Sequence, residues 1–381
     1  MANTLTNLLP ELYVNLDVVS RELVGLIPAV TVDASVNRAA KDQNVRTFVA
    51  PSATSRAITP GLYAPDDGNQ TIGSTTLAIT NLEAVPIRWN GEEIASLGPD
   101  FAAVRAQQIQ QAMRTLTNKI ESDLAALYTK FSRAAGAAAT TPFGTAGDYT
   151  AASLTRKILV DNGAPTSDLQ LVIDTSAGSN LRGKQAANAA DPAGSVSLLR
   201  QGVLTDLNGM MVRESAQIKT HTAGSFSSGT LTSAVRTVGT TVLAATADYT
   251  AGLGAGDVIT LAHESNAHKY VIQSVAAGSI TIAAPGLRTA TAATGTVAIT
   301  LTATGPRNMA FSKSAIVLAT RLPYLPPSGD AATSRVTITD PRSGISFDFA
   351  EYRQYMQTHW EVQCAWGVGV VKPEHTALLL G

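Results

Sequence analysis

The sequence predicts an α+β protein: one long amphipathic helix among strands, with an all-β stretch placed inside the chain. Three observations carry this. Ala102, Ala106, Ile109, Met113, Leu116, Ile120, Leu124, Leu127 and Phe131 recur three or four apart, one helical face across Pro99 to Ala135. From about His221 to Thr304, Thr, Ala, Gly and Val dominate and turn residues fall at regular intervals. Beyond Pro306 mixed character resumes and closes on a strand-like run, Tyr355 to Val371, holding Trp360 and Trp366.

Pro99 suits the first turn of the long helix because its missing N–H has no intrahelical partner there; Gly98 or Asp100 can cap, and Gly136 ends it. At 1.5 Å per residue such a helix runs about 50 Å, a length suited to a strut, a coiled coil or the backbone of a flat subunit. The competing reading is a long core helix in an ordinary enzyme.

In chain order, Leu12, Leu16, Val19, Leu23 and Leu26 predict a short amphipathic helix over Asn7 to Gly25. Its polar face carries few basic residues, which favours packing on protein over a membrane surface. Arg38, Lys41 and Arg46 then punctuate a polar stretch. Val45 to Ala50 reads as a strand and Thr75 to Trp89 as one or two more. The Pro-, Gly- and Ser-rich interval Pro51 to Ser74 is long for a loop in a compact domain, so it is either disordered or an arm that orders against a neighbour. Flanking strands favour the arm, as a long hairpin.

After the long helix, Ala151 to Asn162 predicts a short helix, Leu169 to Ile173 a buried strand, and Gly183 to Ser197 a mobile loop. Val203 to Arg213 contains a turn at Asn208-Gly209 and then a strand. Within the β-rich stretch, strands are expected at Thr241 to Ala244, Asp257 to Ala262, Lys269 to Val275, Ser279 to Ala283 and Thr296 to Thr302, forming a small barrel or sandwich. Met309 to Leu318 is mostly apolar and Pro323 to Ala332 a Pro-rich loop, with strands at Arg335 to Thr339 and Ile345 to Phe349.

At 381 residues the chain is long enough for two or three folding units. Charged residues are only 15%, a surface composition that suits contact with other protein. The net charge of −1 provides no global attraction to nucleic acid or anionic membrane. Cys364 is the single cysteine, so there is no intrachain disulfide and no cysteine-based zinc site. It lies in an apolar run, as a buried structural thiol would, and a free thiol fits a reducing cytoplasm. No secretory signal opens the sequence and no apolar run approaches the ~20 residues a membrane span needs.

No motif assembles an active site. Gly252-Leu-Gly-Ala-Gly256 lacks the Lys-Ser/Thr of a phosphate loop and precedes a strand, so it reads as a β-turn. His263 and His268 are five apart, not the helical four of a zinc motif, and read as solvated loop residues. His359, His375 and Glu374 have no third ligand nearby in sequence, Glu92-Glu93 and Asp66-Asp67 are paired loop acids, and the Gly-x-Ser-x-Gly elbow is absent. Catalytic, metal and cofactor residues are therefore assigned as none.

The order of parts resembles the major capsid proteins of tailed phages with the HK97 fold, specifically the P22 coat-protein-like branch with an inserted β-barrel. Local phrases carry the resemblance: Val45-Arg-Thr-Phe-Val-Ala-Pro51, Leu204-Thr-Asp-Leu-Asn-Gly-Met-Met-Val-Arg-Glu-Ser215, Gly256-Asp257-Val-Ile-Thr, and Ala284-Pro-Gly-Leu-Arg288. Ala310-Phe-Ser-Lys-Ser-Ala-Ile316 and Trp366-Gly-Val-Gly-Val-Val-Lys-Pro-Glu374 complete the set.

The resemblance implies an HK97-like capsid fold with a division of labour: an N-arm at 1–44; an E-loop with flanking strands at 45–98; and the spine helix, P-domain and first part of the A-domain at 99–218. The inserted β-barrel would be 219–305, and 306–381 the remainder of the A-domain and the return to the P-domain. It implies a coat protein assembling with itself into hexamers and pentamers of an icosahedral head, built in the host cytoplasm with a scaffolding protein and portal. The head would enclose double-stranded DNA without specific contacts, and no membrane would be involved. Arg56, Asp66 and Asp67, charges in an otherwise neutral loop, are the candidates to set intersubunit register, and Arg38 and Lys41 the candidates to face DNA. The competing classes are a surface adhesin or surface-layer protein, which normally needs a secretion signal, a cytoplasmic enzyme with an accessory β-domain, and a tail tube, which leaves the spine helix unexplained.

Overall fold

The computed structural model describes residues 25–49, 55–61, 73–98, 101–145, 148–188, 206–264, 267–291, 295–339 and 344–381. The predicted helix at 7–25 falls almost wholly outside them, as do 50–54 and 62–72 of the predicted arm.

The chain passes from a short 3-10 turn at Ile27–Ala29 into β1 (Thr31–Ala39), β2 (Asn44–Val49), β3 (Gly73–Ala78) and β4 (Asn81–Asn90). A helix at Gly91–Leu97 and the long helix Phe101–Ala126 lead to β5 (Arg133–Ala135). The helix Thr150–Asp161 follows, then β6 (Leu169–Ile173), the helix Thr175–Asn188 and β7 (Met211–Glu214). Short strands come next: β8 (Thr220–His221), β9 (Gly229–Leu231), β10 (Val242–Ala244), β11 (Val258–Leu261), β12 (Lys269–Ala276), β13 (Ser279–Ile282) and β14 (Val297–Leu301). The chain closes with β15 (Gly305–Ser312), β16 (Ile316–Pro323), β17 (Ser334–Thr339), β18 (Ser346–Gln354), β19 (Gln357–Val370) and β20 (Thr376–Leu380).

β19 organises the first sheet. One edge pairs with β4 from Gln357↔Asn90 to Trp366↔Asn81, while the other pairs with β18 along its first half and β16 along its second. β17 and β1 complete the sheet, β1 lying parallel to β16. Pro86 interrupts β4 without penalty because β4 pairs on one side only among the described residues. The long helix lies over this sheet and buries Ile109, Met113, Leu116, Ile120 and Leu124 against Trp360, Val362 and Trp366.

A second sheet runs β7-β6-β15-β20-β5 and continues through β12 into the β-rich stretch. There β10, β13, β12, β11, β14 and β9 are successive antiparallel neighbours. The series returns on itself: Thr232 N–H donates to Ala244 O and Thr246 N–H to Thr230 O, each 3.0 Å, so β9 meets β10. The six strands thus form a ring with its own core of Leu243, Ile259, Leu261, Tyr270, Ile272 and Ile280. Val258 and Val271 point the other way, into the main core. That double burial explains why β11 and the start of β12 read as continuous apolar runs instead of alternating ones.

Several expectations change. Among the described residues the long helix spans Phe101–Ala126, about 39 Å, and stops short of Ala135; Pro99 and Asp100 lie outside the described residues. A 3-10 turn at Leu127–Lys130 ends it, and β5 then pairs with β20 and β12, a tertiary preference that overrides the periodicity at Phe131. Ala102 is exposed, and full burial along the face begins at Ile109. Residues 31–39, read as part of an arm, form β1 in the main sheet. Residues 183–188 of the expected mobile loop continue a helix, and 189–197 lie outside the described residues. Glu92 and Glu93 are not loop acids: Glu93 closes a capping box with Asn90, each side chain accepting from the other's backbone N–H.

Candidate functional site

Among the described residues no single cleft dominates; the distinctive chemistry lies where chain segments are fastened to the long helix or leave the body. The first fastening clamps the helix to the β4–β19 pair at both ends. Gln108 Oε1 accepts from Trp89 Nε1 at 2.7 Å near one end. Asp123 Oδ2 accepts from Trp366 Nε1 at 2.9 Å and Asn81 Nδ2 at 2.7 Å near the other. The two acceptors are fifteen positions apart, roughly 22 Å of helix. Indole donors suit this role because their rings enter the core while the N–H still requires a partner. Lys119 adds an exposed pair to Glu83 at 2.8 Å.

The second fastening is Glu121, buried on the apolar face of the helix. Its Oε1 accepts from Gly25 N–H at 2.8 Å and Leu26 N–H at 2.6 Å, and Oε2 from Ile27 N–H at 3.0 Å. One carboxylate therefore satisfies the orphan donors at the start of the Ile27–Ala29 turn, where the chain arrives from the N-terminal segment. Burial pushes the Glu121 carboxyl above its ordinary range, against the pull of donors from Leu26, Ser215, Ile27 and Gly25. Gly25 is required by close approach, since a Cβ there would sit 2.4 Å from Glu214 O.

The third is the β2–β3 hairpin. It forms a two-stranded sheet of its own, from Asn44↔Ala78 to Val49↔Gly73. Its base is held by Asp42 N–H to Ile79 O at 2.8 Å and Ile79 N–H to Gln43 O at 3.0 Å, with Leu77 and Ile79 seated on Val317, Ala319 and Ala365. An isolated two-stranded ribbon is marginal in water, and among the described residues its outer edges pair with no further strand, which suits strand addition.

Two buried polar clusters tie the parts together. Asp348, fully buried, receives Arg38 Nη1 at 2.9 Å and Arg335 Nη1, while Arg335 Nη2 also reaches Asp330. At the junction of helix and strand ring, Tyr128 OH and His221 Nδ1 are 2.8 Å apart, and His221 Nε2 meets Asp257 Oδ1 at 2.8 Å. Asp257 also accepts from the Gly224 and Gly254 N–H groups. Burial works to raise its carboxyl pKa, but the His221 contact and these amides outweigh it and leave the group below the ordinary carboxylate range. Separately, Glu264, buried in the turn that follows β11, accepts from Tyr270 OH at 2.9 Å and Thr289 N–H at 3.1 Å.

The residues singled out in the sequence are dispersed. Arg38 lies on β1, where its Nη1 donates to Pro323 O at 2.8 Å and to Asp348, both inside the fold. Lys41 is exposed in the turn between β1 and β2. Arg56 is exposed in the extended stretch 55–61, and Asp66 and Asp67 lie outside the described residues. His263, His268, His359 and His375 do not converge, and no group of three or more metal-ligating side chains forms among the described residues. His263 and His268 are half-buried, not solvated; His263 lies 3.6 Å from Glu264. Gly252 to Gly256 does lie in tight turns: Gly252 N–H donates to Tyr249 O at 3.0 Å, Asp257 N–H to Gly254 O at 3.2 Å, and Gly256 adopts φ +91°. Cys364 is fully buried, and burial pushes its thiol up to about 12. Sequence reasoning missed Glu121, although an acid between Ile120 and Leu124 on an apolar face was the available signal.

No known protein family and no curated protein matches the chain in sequence. Among solved structures, the capsid of the cyanophage P-SCSP1u matches with a TM-score of 0.50 at 12% identity, covering 94% of this chain and 88% of that one. The mature capsid of bacteriophage PhiM1 matches at a TM-score of 0.45 and 12% identity, covering 92% and 84%. A virus-like particle from Pyrococcus furiosus matches at 0.42 and 8%, covering 97% and 98%. At such identities likeness concerns fold alone, and only the first score supports it. No helix among the described residues is long and apolar enough to cross a membrane. The chain shares the mixed α+β fold of the cyanophage P-SCSP1u capsid subunit.

Proposed function

We propose that the protein is the major capsid protein of a tailed phage, assembling with itself into hexamers and pentamers of an icosahedral head around double-stranded DNA. The observation that carries this reading is the long helix clamped at both ends to β4 and β19 with a self-paired hairpin projecting beside it, in a chain whose fold matches a phage capsid subunit over 94% of its length. A hairpin whose edges pair with no further strand among the described residues is suited to add strand to a neighbour, the E-loop role. The ring β9–β14 supports reading 219–305 as an inserted β-barrel of the P22-like kind.

Within this reading the chain works as a structural, non-enzymatic protein, with a scaffolding protein and portal as assembly partners in the host cytoplasm. Arg56, Asp66 and Asp67 set intersubunit register, Lys41 is the better placed of the two DNA-facing candidates, and Arg38 serves the fold. The test is co-expression with the neighbouring phage genes, gradient sizing and negative-stain electron microscopy. Closed shells of uniform diameter are expected; monodisperse monomers or small oligomers with a scaffolding partner present would overturn the reading.

A further inference from the structure

A cleft of about 290 Å³ opens where β5, the helix Thr150–Asp161 and the start of β12 meet. Its walls carry Arg133, Lys157, His268 and Lys269 against a single acid, Asp161. Counting the fixed charges, three positive and one negative leave a surplus of two on the positive side. Arg133 is 2% exposed, its Nε has no hydrogen-bond partner, and no ion pair to it appears among the described residues. Asp161 and Glu264 act on Arg133 through space without a contact ion pair, so burying the guanidinium remains costly, and an anion seated in the cleft would offset that cost.

Arg133 is also held in place. Its Nη2 donates to Asn162 Oδ1 at 2.9 Å, and Asn162 Nδ2 in turn donates to Glu374 O at 2.8 Å. Lys269 Nζ donates to Gly136 O on the cleft wall, its one hydrogen-bond acceptor among the described residues. One flank is apolar instead: Leu154, 45% exposed, and Ile158 line it. A bare oxyanion would leave that flank wet, and a volume near 300 Å³ lies at the small end of the range for small-molecule sites.

We propose that this cleft binds a phosphate monoester bearing an apolar body, the phosphate meeting Arg133, Lys157 and Lys269 and the body resting on Leu154 and Ile158. A guanidinium N–H left over from the Asn162 contact suits a phosphate oxygen, and Asn162 acts as a positioning residue for Arg133. The site is independent of the assembly reading.

The test is calorimetric titration of the full chain with inorganic phosphate, adenosine and adenosine monophosphate. The monophosphate is expected to bind at least fivefold more tightly than phosphate, with adenosine not binding. Lys157→Glu, an exposed position, should weaken monophosphate binding at least tenfold with an unchanged melting temperature. Leu154→Ser should weaken the monophosphate and leave phosphate binding unaltered. Absence of monophosphate binding at 5 mM or equal affinity in Lys157→Glu would overturn the site, the titration range and fold-changes being order-of-magnitude choices of about tenfold per 1.4 kcal/mol. Equal binding of phosphate and monophosphate would overturn the apolar half of the proposal.

Discussion

Replacing Glu121 tests how the N-terminal segment is fastened to the long helix. The carboxylate accepts three backbone N–H groups at 2.6–3.0 Å in a buried site. Glu121→Ala leaves all three donors without a partner, and each orphan costs about 1–3 kcal/mol unless water enters. Allowing for water at part of the site, the expected loss is about 3 kcal/mol, a hundredfold or more in the local opening equilibrium. Glu121→Gln keeps one oxygen, enough for Gly25 and Leu26, but turns an amide towards Ile27 N–H; about 1–2 kcal/mol is expected. Hydrogen exchange read at the amides of residues 25–27 separates this from global unfolding. Exchange within threefold of wild type in both variants, a difference under about 0.7 kcal/mol, would refute the capping argument. Linkage adds a signed check. Because burial raises the folded carboxyl above 4.5, its contribution is fully present below that value and is lost as pH rises through the folded one. Wild-type stability relative to Glu121→Gln should therefore decline over that rise.

Other outcomes follow from the remaining clusters. Asp348→Ala strands two arginines that share one buried carboxylate, so urea unfolding should show a loss of about 3–5 kcal/mol, and a loss below 1 would contradict the network. Asp123→Ala leaves the buried Trp366 indole and the Asn81 amide unpartnered; a cost of about 2 kcal/mol is expected, with a shift in tryptophan emission that Lys119→Ala does not produce. The folded Asp257 carboxyl is lowered, so its contribution is present above about 3.8 and is lost as pH falls through the folded value; Asp257→Asn should flatten that acid limb, measured by melting temperature against pH. Cys364, buried with its thiol pushed up to about 12, should resist iodoacetamide at pH 8 until denaturant is added, and rapid native labelling would show that β19 opens.

Strong local periodicity survived the passage from sequence to structure. Leu169 to Ile173 is a strand as read, and the strands at 242–244, 258–261, 269–276, 279–282 and 297–301 fall where turn residues bracket them. What was not legible were pairings set by distant residues. β1 has a polar sequence yet is a strand, because β16, nearly three hundred positions later, offers its edge. The end of the long helix was misplaced for the same reason: Phe131 keeps the helical spacing, but β20 recruits the backbone two residues on. β20 itself, one threonine and four apolar residues, lacked enough length to declare itself. In the candidate sites, single charges were visible in the sequence, but their partners were not. Arg38 looked like a surface cation until folding placed Asp348 beside it. Arg133 gave no signal because its neighbours come from three separate segments.

The double clamp between the long helix and the β4–β19 pair has a mechanical consequence. Two layers free to slide bend independently, whereas layers pinned at both ends behave as a laminate, in which flexing one must stretch the other. Gln108 and Asp123 hold opposite ends of that laminate through Trp89 and Trp366, so shear along the helix loads hydrogen bonds lengthwise instead of peeling the core apart. The fold's resistance to being bowed would then reside in two indole hydrogen bonds as well as in the apolar surface between them.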